Sequence, residues 1–457
     1  IWEVDDSPYT TPTDDDSLWM SPGPSSESFQ AALGDGSTVT YTDTKRKLWL
    51  LSVTYPLFPF LGIGLHAATG NALWLLLPIV FSYGVAPIID WVMGEDDSNP
   101  PEAVVPQLEA DAFYRVLTYI AVPLHFISLI AAAWWAVTAD MPWWGFLALA
   151  ITAGMTSGLG INTGHELGHK KTKLERNLAK IVLAVTAYGH FWIEHNGGHH
   201  RDVSTPEDPA SARMGESIYT FALREIPGTM RRAWQLETER MARQGKSVWH
   251  PSNFILQSMA ITVVLQVGLI AWLGWAMLIF LRIHNVFAWW QLPSANYIEH
   301  YGLLREKDEN GRYERCKPHH SWNSNHIYSN LLLFQLERHS DHHAHPARRY
   351  QSLRNFDDLP TLPNGYMGMY LLAYFPWLWY RVMDKRVVDQ PHIQRDARRI
   401  RAAKQRDPLT FPACPHRRWV LSGTLESIHG SLGERHPCRS TSRQHPSAAQ
   451  TGSHDRT

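Results

Sequence analysis

Long apolar stretches alternate with polar segments along the middle of the chain. Four of them, at 48–65, 72–92, 116–137 and 143–161, approach the length of a membrane-crossing helix. Such a helix needs about 20 residues to span about 30 Å of hydrocarbon. A fifth stretch, 254–292, is about twice that length and can turn near Gly274. The pattern predicts an all-α membrane protein with six transmembrane helices.

Aromatic and basic residues are placed as this interpretation requires. Tryptophans lie near the ends of the predicted spans, where an aromatic belt would place them. Basic residues fill 45–47 and the segment between the fourth and fifth spans, whereas the connectors 67–71 and 138–142 have none. The positive-inside rule therefore predicts that the amino terminus, residues 163–253 and everything after about 295 face the cytoplasm.

Two other segments are apolar but are not counted as spans. Segment 178–193 would form only about 24 Å of helix, which is short for a crossing. A crossing there would also separate His195 from His165 and His169. We expect a helix that lies beside the bundle or dips into it. The aromatic run 374–380 predicts an interfacial helix or re-entrant piece.

The two ends of the chain differ in composition from the middle. Residues 1–44 are rich in Asp, Ser, Thr and Pro without an apolar period, and residues 396–457 are rich in Arg, His, Ser and Gln. Both are predicted to be polar and disordered. The membrane domain is therefore predicted to occupy residues 45–395.

Charge excludes one class of function, and histidine content suggests another. The chain has 42 basic and 43 acidic side chains, so no global positive field would attract nucleic acid. Mean hydropathy is −0.25, but this value averages polar tails with apolar spans. Of the 24 histidines, 16 lie between residues 165 and 345.

Nine of these histidines fall in four short motifs. The motifs are NTGHELGHK (162–170) with His165 and His169, EHNGGHH (194–200) with His195, His199 and His200, NYIEHYG (296–302) with His300, and ERHSDHHA (337–344) with His339, His342 and His343. Spacings of three or four residues place two imidazoles on one face of a helix, where both can point at one ion. All four motifs fall on one predicted side of the membrane.

Nine imidazoles indicate more than one metal ion. Imidazole suits iron, zinc, copper and nickel. Nine ligands are too many for one tetrahedral or octahedral ion, but they are enough for two octahedral ions that keep positions open for oxygen. The motifs therefore favour a dinuclear iron site on the cytoplasmic side of the membrane.

Other functions must account for the same residues. His165, Glu166 and His169 match HExxH, the signature of zinc proteases in which the glutamate is the general base. That alternative needs only one more ligand and leaves six histidines unexplained. A transporter would leave the clusters without a purpose. Isolated histidines such as His66 and His250 are expected to be structural.

The four motifs resemble those of the integral-membrane alkane 1-monooxygenases. The acidic loop GEDDSNPPE at 94–102 is also similar to that family's loop after the second span, and the resemblance covers roughly residues 45–390. Glu337 departs from the family, which usually has Gln before Arg338 and His339. The wider superfamily of membrane desaturases and sterol or carotenoid hydroxylases supplies the alternative, a fatty acyl desaturase or other lipid hydroxylase.

The resemblance implies a reaction, its cofactor and its partners. An n-alkane, O₂, two electrons and two protons give a 1-alkanol and water at two non-haem irons, in a bacterial inner membrane. The electrons come from a separate rubredoxin, which its reductase supplies. Some relatives carry a fused rubredoxin, but Cys316, Cys414 and Cys438 are spaced unlike its CxxC pairs, so none is expected here.

Carboxylates and apolar side chains complete the expected site. Ligating histidines usually donate their other ring N–H to a carboxylate or carbonyl. The acids adjacent to ligands are the candidates for that role: Glu166, Glu194, Glu299 and Asp341. The alternative for each is an ion pair with Arg or Lys. An alkane has no polar group, so we expect an apolar slot between spans whose bulky side chains set the accepted chain length.

Overall fold

The computed structural model describes residues 27–391. Two short strands open this range, β1 (Ser28–Ala32) and β2 (Thr38–Thr42). The helices that follow are α1 (Arg46–Thr69), α2 (Ala72–Met93), α3 (Val105–Ala110), α4 (Ala112–Thr138), α5 (Trp143–Gly168), α6 (Lys173–Val185), α7 (the consecutive turns Phe191–Glu194, His195–His199 and His200–Asp202), α8 (Ile218–Arg243), α9 (Phe254–Leu273), α10 (Ala276–His300), α11 (Ile327–Leu332), α12 (His339–Ala344), α13 (Tyr366–Ala373) and α14 (Pro376–Val388). The predicted tail 396–457 and residues 1–26 lie outside the described residues.

Five of the six predicted spans are confirmed as helices long and apolar enough to cross a membrane. They are α1, α2, α4, α5 and α9. The predicted turn is also confirmed, because α9 ends at Leu273 and Gly274 adopts a φ of 89°. Helix α10 has 25 residues but is more polar than the other five, since it carries Arg282, His284 and a polar carboxyl-terminal half.

The prediction of disorder fails for residues 28–42. This segment forms an antiparallel hairpin that pairs Ser28 with Thr42. Phe29 is buried in a cluster with Trp49 of α1 and Tyr114 of α4. The Tyr114 hydroxyl donates to the Asp43 carboxylate just after β2. Strand β2 is the alternating sequence TVTYT, whose β-branched residues favour a strand, but the surrounding Asp, Ser and Thr concealed this signal.

Segment 178–193 is two helices rather than one. Helix α6 ends at Val185, the chain turns through Ala187 at a φ of 57°, and α7 begins at Phe191. Helix α6 has 13 residues and packs beside α4, α5 and α9, as expected for a helix beside the bundle. The aromatic run 374–380 begins in the turn between two short helices, α13 and α14, and continues through the first residues of α14.

Helices α5 and α10 run side by side in the same direction. A Cβ atom at Gly154 of α5 would collide with the His284 carbonyl oxygen and lie 3.0 Å from the His284 Cα. One turn later, a Cβ atom at Gly158 would lie 3.0 Å from the Ala288 carbonyl oxygen. A step toward the carboxyl terminus on α5, from Gly154 to Gly158, thus matches a step toward the carboxyl terminus on α10, from His284 to Ala288. The carboxyl-terminal ends of the two helices therefore lie on the same side.

Glu337 ties the carboxyl-terminal segments to this bundle. Its side chain is buried, and its Oε1 accepts the backbone N–H of Tyr366, the first residue of α13, at 2.7 Å. Its own carbonyl accepts the Ser324 N–H at 2.9 Å. Burial, and then the neighbouring Asp90, raise the pKa of the Glu337 carboxyl well above its ordinary value. The neutral acid is therefore favoured, and it has nearly the shape of a glutamine side chain.

Replacing Gly154 by Ala should destabilise the bundle. The added methyl group meets backbone of α10, which cannot swing away as a side chain could, so we expect a loss of about 1–3 kcal/mol in the free energy of unfolding. Thermal unfolding in detergent measures it. The control is Gly268→Ala on α9, where a Cβ atom has open space. Equal midpoints for the two variants would contradict the close packing of α5 on α10.

Replacing Glu337 by Gln should flatten the dependence of stability on pH. The pKa of the Glu337 carboxyl is raised in the folded protein, so the native state keeps a proton that the unfolded chain releases above about pH 4.5. The free energy of unfolding therefore falls as pH rises from about 4.5 toward the folded pKa. Thermal midpoints at pH 6 and pH 8 should therefore differ less in Glu337→Gln than in the unmodified protein. Glu309→Gln, at an exposed position, should keep the original difference. An unchanged slope in Glu337→Gln would show that the carboxyl is ionised in the native state.

Candidate metal centre

The structure brings all nine motif histidines together in two groups. One group has five members, His165, His169, His195, His200 and His342, and the other has four, His199, His300, His339 and His343. Within each group the nearest ligand atoms lie within 4.8 Å of one another. Four separate elements supply them: the carboxyl-terminal ends of α5 and α10, and the short helices α7 and α12.

The distances between ring nitrogens fit metal ligands. In the five-histidine group, His165 Nε2 lies 2.9 Å from His342 Nε2, and His200 Nε2 lies 3.0 Å from His195 Nε2. In the four-histidine group, His343 Nε2 lies 2.9 Å from His339 Nε2. Two nitrogens bound to one first-row ion at about 2.1 Å and at right angles would be about 3 Å apart. The donor atoms therefore converge as ligands of a shared ion would.

Buried ring nitrogens without hydrogen-bond partners point to the same conclusion. Among the described residues they include His169 Nε2, His199 Nε2 and both ring nitrogens of His300. Buried polar atoms are normally hydrogen-bonded, so such a concentration within one cluster requires an explanation. Metal ions coordinated by these nitrogens supply one.

The clustered imidazoles favour the protonation state that ligands need. Burial, followed by the neighbouring histidines, lowers the pKa of His200, His342 and His343 well below the ordinary value. These rings are therefore neutral at pH 7. Neutral imidazole is the form that binds a metal ion, so no proton has to leave before coordination.

Spacing along the sequence did not predict how the histidines divide. His195 and His199 are four apart and were expected to share an ion, but they belong to different groups. The turn His195–His199 is a π-helix, whose wider turn brings residues five apart together, so His195 meets His200 instead. His339 similarly pairs with His343 rather than with His342.

Asp208, which the sequence analysis missed, positions one of the histidines. Its Oδ2 lies 2.8 Å from His199 Nδ1, which leaves His199 Nε2 to face the four-histidine group. Burial opposes ionisation of Asp208, but His199 and Arg232 outweigh it and lower the pKa of this carboxyl. Asp208 follows the second motif by eight residues, in a loop whose path only the fold reveals.

Arg232 of α8 links this acid to the second motif. Its guanidinium donates to Asp208 Oδ1 at 2.7 Å and, through Nε, to Glu194 Oε1 at 2.7 Å. A Cβ atom at Gly198 would lie 2.5 Å from the Arg232 Nε, so only glycine lets the arginine pass. The second glycine of EHNGGHH, Gly198, is thus explained by a close approach.

Of the four acids expected to support the ligands, Glu299 contacts one of the nine histidines. Its Oε2 lies 3.3 Å from His339 Nε2. Glu194 pairs with Arg232, and Asp341 pairs with Arg354 and with His345, which belongs to neither group. These acids follow the alternative expectation of an ion pair, although they are buried rather than on the surface.

Glu166 does not have the environment of a protease base. Its Oε1 accepts the backbone N–H of Tyr350 at 3.2 Å and lies 3.0 Å from the Lys170 ammonium. A buried lysine at that distance stabilises the carboxylate as a structural ion pair. The HExxH alternative therefore loses its general base.

A third cluster, formed by Glu314, His319 and His320, is a hydrogen-bonded group. His320 Nδ1 accepts the Lys317 backbone N–H at 2.9 Å. The proton of the neutral ring therefore sits on Nε2, which faces Glu314 Oε1 at 3.3 Å. The Lys317 ammonium pairs with the same carboxylate through Oε2 at 2.5 Å. Metal coordination at His320 would require breaking this arrangement.

An apolar pocket reaches the histidines of both groups. It has about 510 Å³ of empty volume and lies between α5, α7 and α10. His165 and His195 of the five-histidine group and His339 of the four-histidine group border it. Much of the remaining lining is apolar: Leu159, Ile161, Phe191, Leu292, Ala295, Leu333 and Leu336. A mostly apolar lining with a few polar groups is typical of a site for a small molecule.

Comparison with known proteins identifies the family. A family model described as fatty acid desaturase matches residues 142–383. Alkane 1-monooxygenase 1 of Alcanivorax borkumensis is 60% identical over 359 residues, which are 78% of this chain and 89% of that protein. The alkane 1-monooxygenases of Ectopseudomonas oleovorans and Pseudomonas putida are each 58% identical over 353 residues, which are 77% of this chain and 88% of theirs.

The family model covers all four histidine motifs, and the relatives align over more than three quarters of the chain. Most of the length of each relative is covered, at 58–60% identity. A multi-pass membrane protein with a histidine-rich metal site is what both the helices and the relatives indicate. This chain belongs to the alkane 1-monooxygenase family, within the fatty acid desaturase superfamily.

Proposed function

We propose that this protein is a di-iron alkane 1-monooxygenase that hydroxylates the terminal carbon of medium- and long-chain n-alkanes. The observation that carries the proposal is the apolar pocket, which borders histidines of both groups. A lipid-like substrate without polar atoms suits such a lining. The fatty acyl desaturase alternative is not favoured, because the relatives at 58–60% identity are named for alkane oxygenation.

The five-histidine group would hold one iron and the four-histidine group the other. Two ions are supported by the division of the ligands and by the number of nitrogens, which exceeds what one octahedral ion accepts. Imidazole ligands suit iron, and the open positions would admit O₂. The chemistry that such a pair supplies is the reductive cleavage of O₂, with one oxygen atom going to the alkane and the other to water.

The pocket residues would bind and orient the alkane. Apolar burial contributes about 0.8 kcal/mol per CH₂ group, so an eight-carbon chain would gain about 6 kcal/mol before ordering costs. Leu159, Leu292 and Leu336 supply this surface and exclude water. His165, His195 and His339 border one part of the pocket, so the carbon that lies there is the one exposed to reaction. A chain that enters end-on presents its terminal carbon.

Hydrogen bonds around the ligands would hold the imidazoles in place during the reaction. Asp208 fixes the ring of His199 through Nδ1, the ring nitrogen that is not aimed at the four-histidine group. Partners of this kind orient a ligand and raise its basicity. Arg232 keeps Asp208 ionised, so the acceptor for His199 remains available.

Electrons would come from a separate rubredoxin, and the site would face the cytoplasm of a bacterial inner membrane. The three cysteines of the sequence are too far apart for an internal rubredoxin centre. Arg201 directly follows His200, and its side chain is 61% exposed although its guanidinium pairs with Asp202, so it is a polar surface group near the metal ligands that a partner could contact. Placing α10 as a sixth span returns the chain to the side that carries the basic residues.

Replacing His342 or His343 by Ala should remove metal and activity. Each variant takes a ligand from a different group, so iron should fall from near two ions per chain to about one or fewer, with octane hydroxylation abolished. Elemental analysis of detergent-purified protein and an octanol assay with rubredoxin and its reductase measure these outcomes.

The matched control for these variants is His250→Ala. His250 is exposed and accepts the Ser252 backbone N–H, away from both groups. It should keep both irons and full activity. One zinc and no iron in folded, unexchanged protein would contradict the di-iron proposal, and a double bond in an acyl chain as the product would favour a desaturase.

Replacing Ala295 by Leu should shorten the alkanes that are accepted. The larger side chain adds three carbons to the lining of the pocket, so the preferred chain should become about three carbons shorter, and kcat/KM for the longest substrates should fall about ten-fold or more. Ala276→Leu, at an exposed position on the same helix, is the control. An unchanged product profile in Ala295→Leu would place the alkane elsewhere.

A further inference from the structure

The pocket continues toward a face of the bundle that is apolar and exposed. Gln291 and Tyr370 line the pocket. Next to Tyr370 on α13, Leu371 is 39% exposed, and Phe375 after it is 48% exposed. On the neighbouring helix α2, Val85 is 40% exposed. Exposed apolar side chains on spanning and adjoining helices suit contact with lipid.

Two tyrosines lie between this face and the pocket. Tyr83 of α2 and Tyr374 at the end of α13 are both half-buried, with ring centres 5.9 Å apart. Each hydroxyl has its own partner on α10. The Tyr83 hydroxyl donates to Gln291 Oε1 at 2.9 Å, and the Tyr374 hydroxyl lies 3.1 Å from Ser294 Oγ.

The contact between the two tyrosines is weaker than the contacts that hold each of them. Their hydroxyl oxygens are 3.4 Å apart, near the limit for a hydrogen bond. Separating them would leave both hydroxyls bonded to α10, because Gln291 and Ser294 remain in place. No polar group would be stranded in apolar surroundings, so opening here avoids the usual cost of an unsatisfied buried group.

The backbone around these residues also suits a moving element. Tyr83 lies in the five-residue π-helix Phe81–Val85 within α2. Such turns replace the regular hydrogen-bond pattern of a helix and recur at functional sites. Gln291 crosses directly over Gly158 of α5, where a Cβ atom would lie 2.8 Å from the Gln291 Cβ. The glutamine therefore forms part of the pocket wall and of the tyrosine contact at once.

We infer that Tyr83 and Tyr374 form a gate on the lipid side of the pocket, held to α10 by Gln291 and Ser294, and that this gate controls which alkanes enter. The inference rests on the proposed alkane hydroxylation. Lipid-dissolved alkane passes between the two rings, and the separate hydrogen bonds of Tyr83 and Tyr374 to α10 limit how far each ring can swing outward. A longer alkane has more carbon atoms that must pass between the rings, so its entry depends more strongly on how often the gate is open.

The test removes one hydroxyl at a time. Tyr83→Phe and Tyr374→Phe each release one ring from α10. A wide opening, in which that ring leaves Gln291 or Ser294, then no longer breaks a hydrogen bond and should become about five-fold more populated. With full-length enzyme in proteoliposomes, rubredoxin and its reductase, kcat/KM for hexadecane should rise about five-fold, dodecane should rise less, and octane least. The kcat at saturation should stay within two-fold, because the reacting end of the pocket is unaltered.

Two further variants keep the test decisive. Tyr119→Phe loses a hydroxyl that bonds Glu175 on α6, away from the pocket, and should leave the chain-length profile unchanged. Ser294→Ala releases Tyr374 from the opposite side and should reproduce Tyr374→Phe, even if that variant folds poorly. Iron content normalises every rate.

Three outcomes are separable. No alkanol from the unmodified protein would refute the proposed function and leave the gate without a substrate. An active protein whose Tyr83→Phe, Tyr374→Phe and Ser294→Ala variants all match Tyr119→Phe would refute the gate alone. An equal change for all three alkanes, or a fall in kcat, would assign the tyrosines a structural role and also overturn the inference.

Discussion

The crowding of nine imidazole rings in a buried space is the constraint on which the rest of this structure depends. A neutral imidazole has one donor and one acceptor nitrogen, so rings facing only one another cannot all satisfy both. Ring nitrogens about 3 Å apart, together with others that have no partner, are the arrangement expected of ligands around a shared cation. The neighbouring elements support this arrangement. Helices α5 and α10 run in parallel, which brings their histidine-bearing ends together, and Asp208 and Arg232 hold α7 beside those ends.

The same polar cluster has to coexist with an apolar substrate path. Small residues on α5 let α10 approach closely at Gly154, and one turn later the glutamine of the pocket wall fits over Gly158. The helices are thus tight where no substrate passes, and leave an opening of about 510 Å³ where histidines of both groups are reached. Helices α5 and α10 therefore pack closely at one level and border the pocket at another.

Most of the architecture and all nine clustered histidines could be predicted from the sequence, because both signals are local. Apolar runs of about 20 residues identify spans, and motifs such as HELGH identify ligands. The assignment of each histidine to a group could not be predicted. It depends on the π-helical turn at His195–His199, which no spacing rule anticipates. Asp208 was missed because its contact with His199 is made by a loop, and the β1–β2 hairpin because five alternating residues were hidden in polar composition.

In the proposed di-iron centre, the division of ligands among the elements would make the two metal positions depend on each other. Helix α7 gives His195 and His200 to one group and His199 to the other, and α12 is shared in the same way. An ion that binds at either position would therefore order both helices. The ligands of the second ion would then already be ordered, so binding it would cost less conformational entropy. Filling should be cooperative, so that the protein passes from empty to doubly loaded with little of the singly loaded form between.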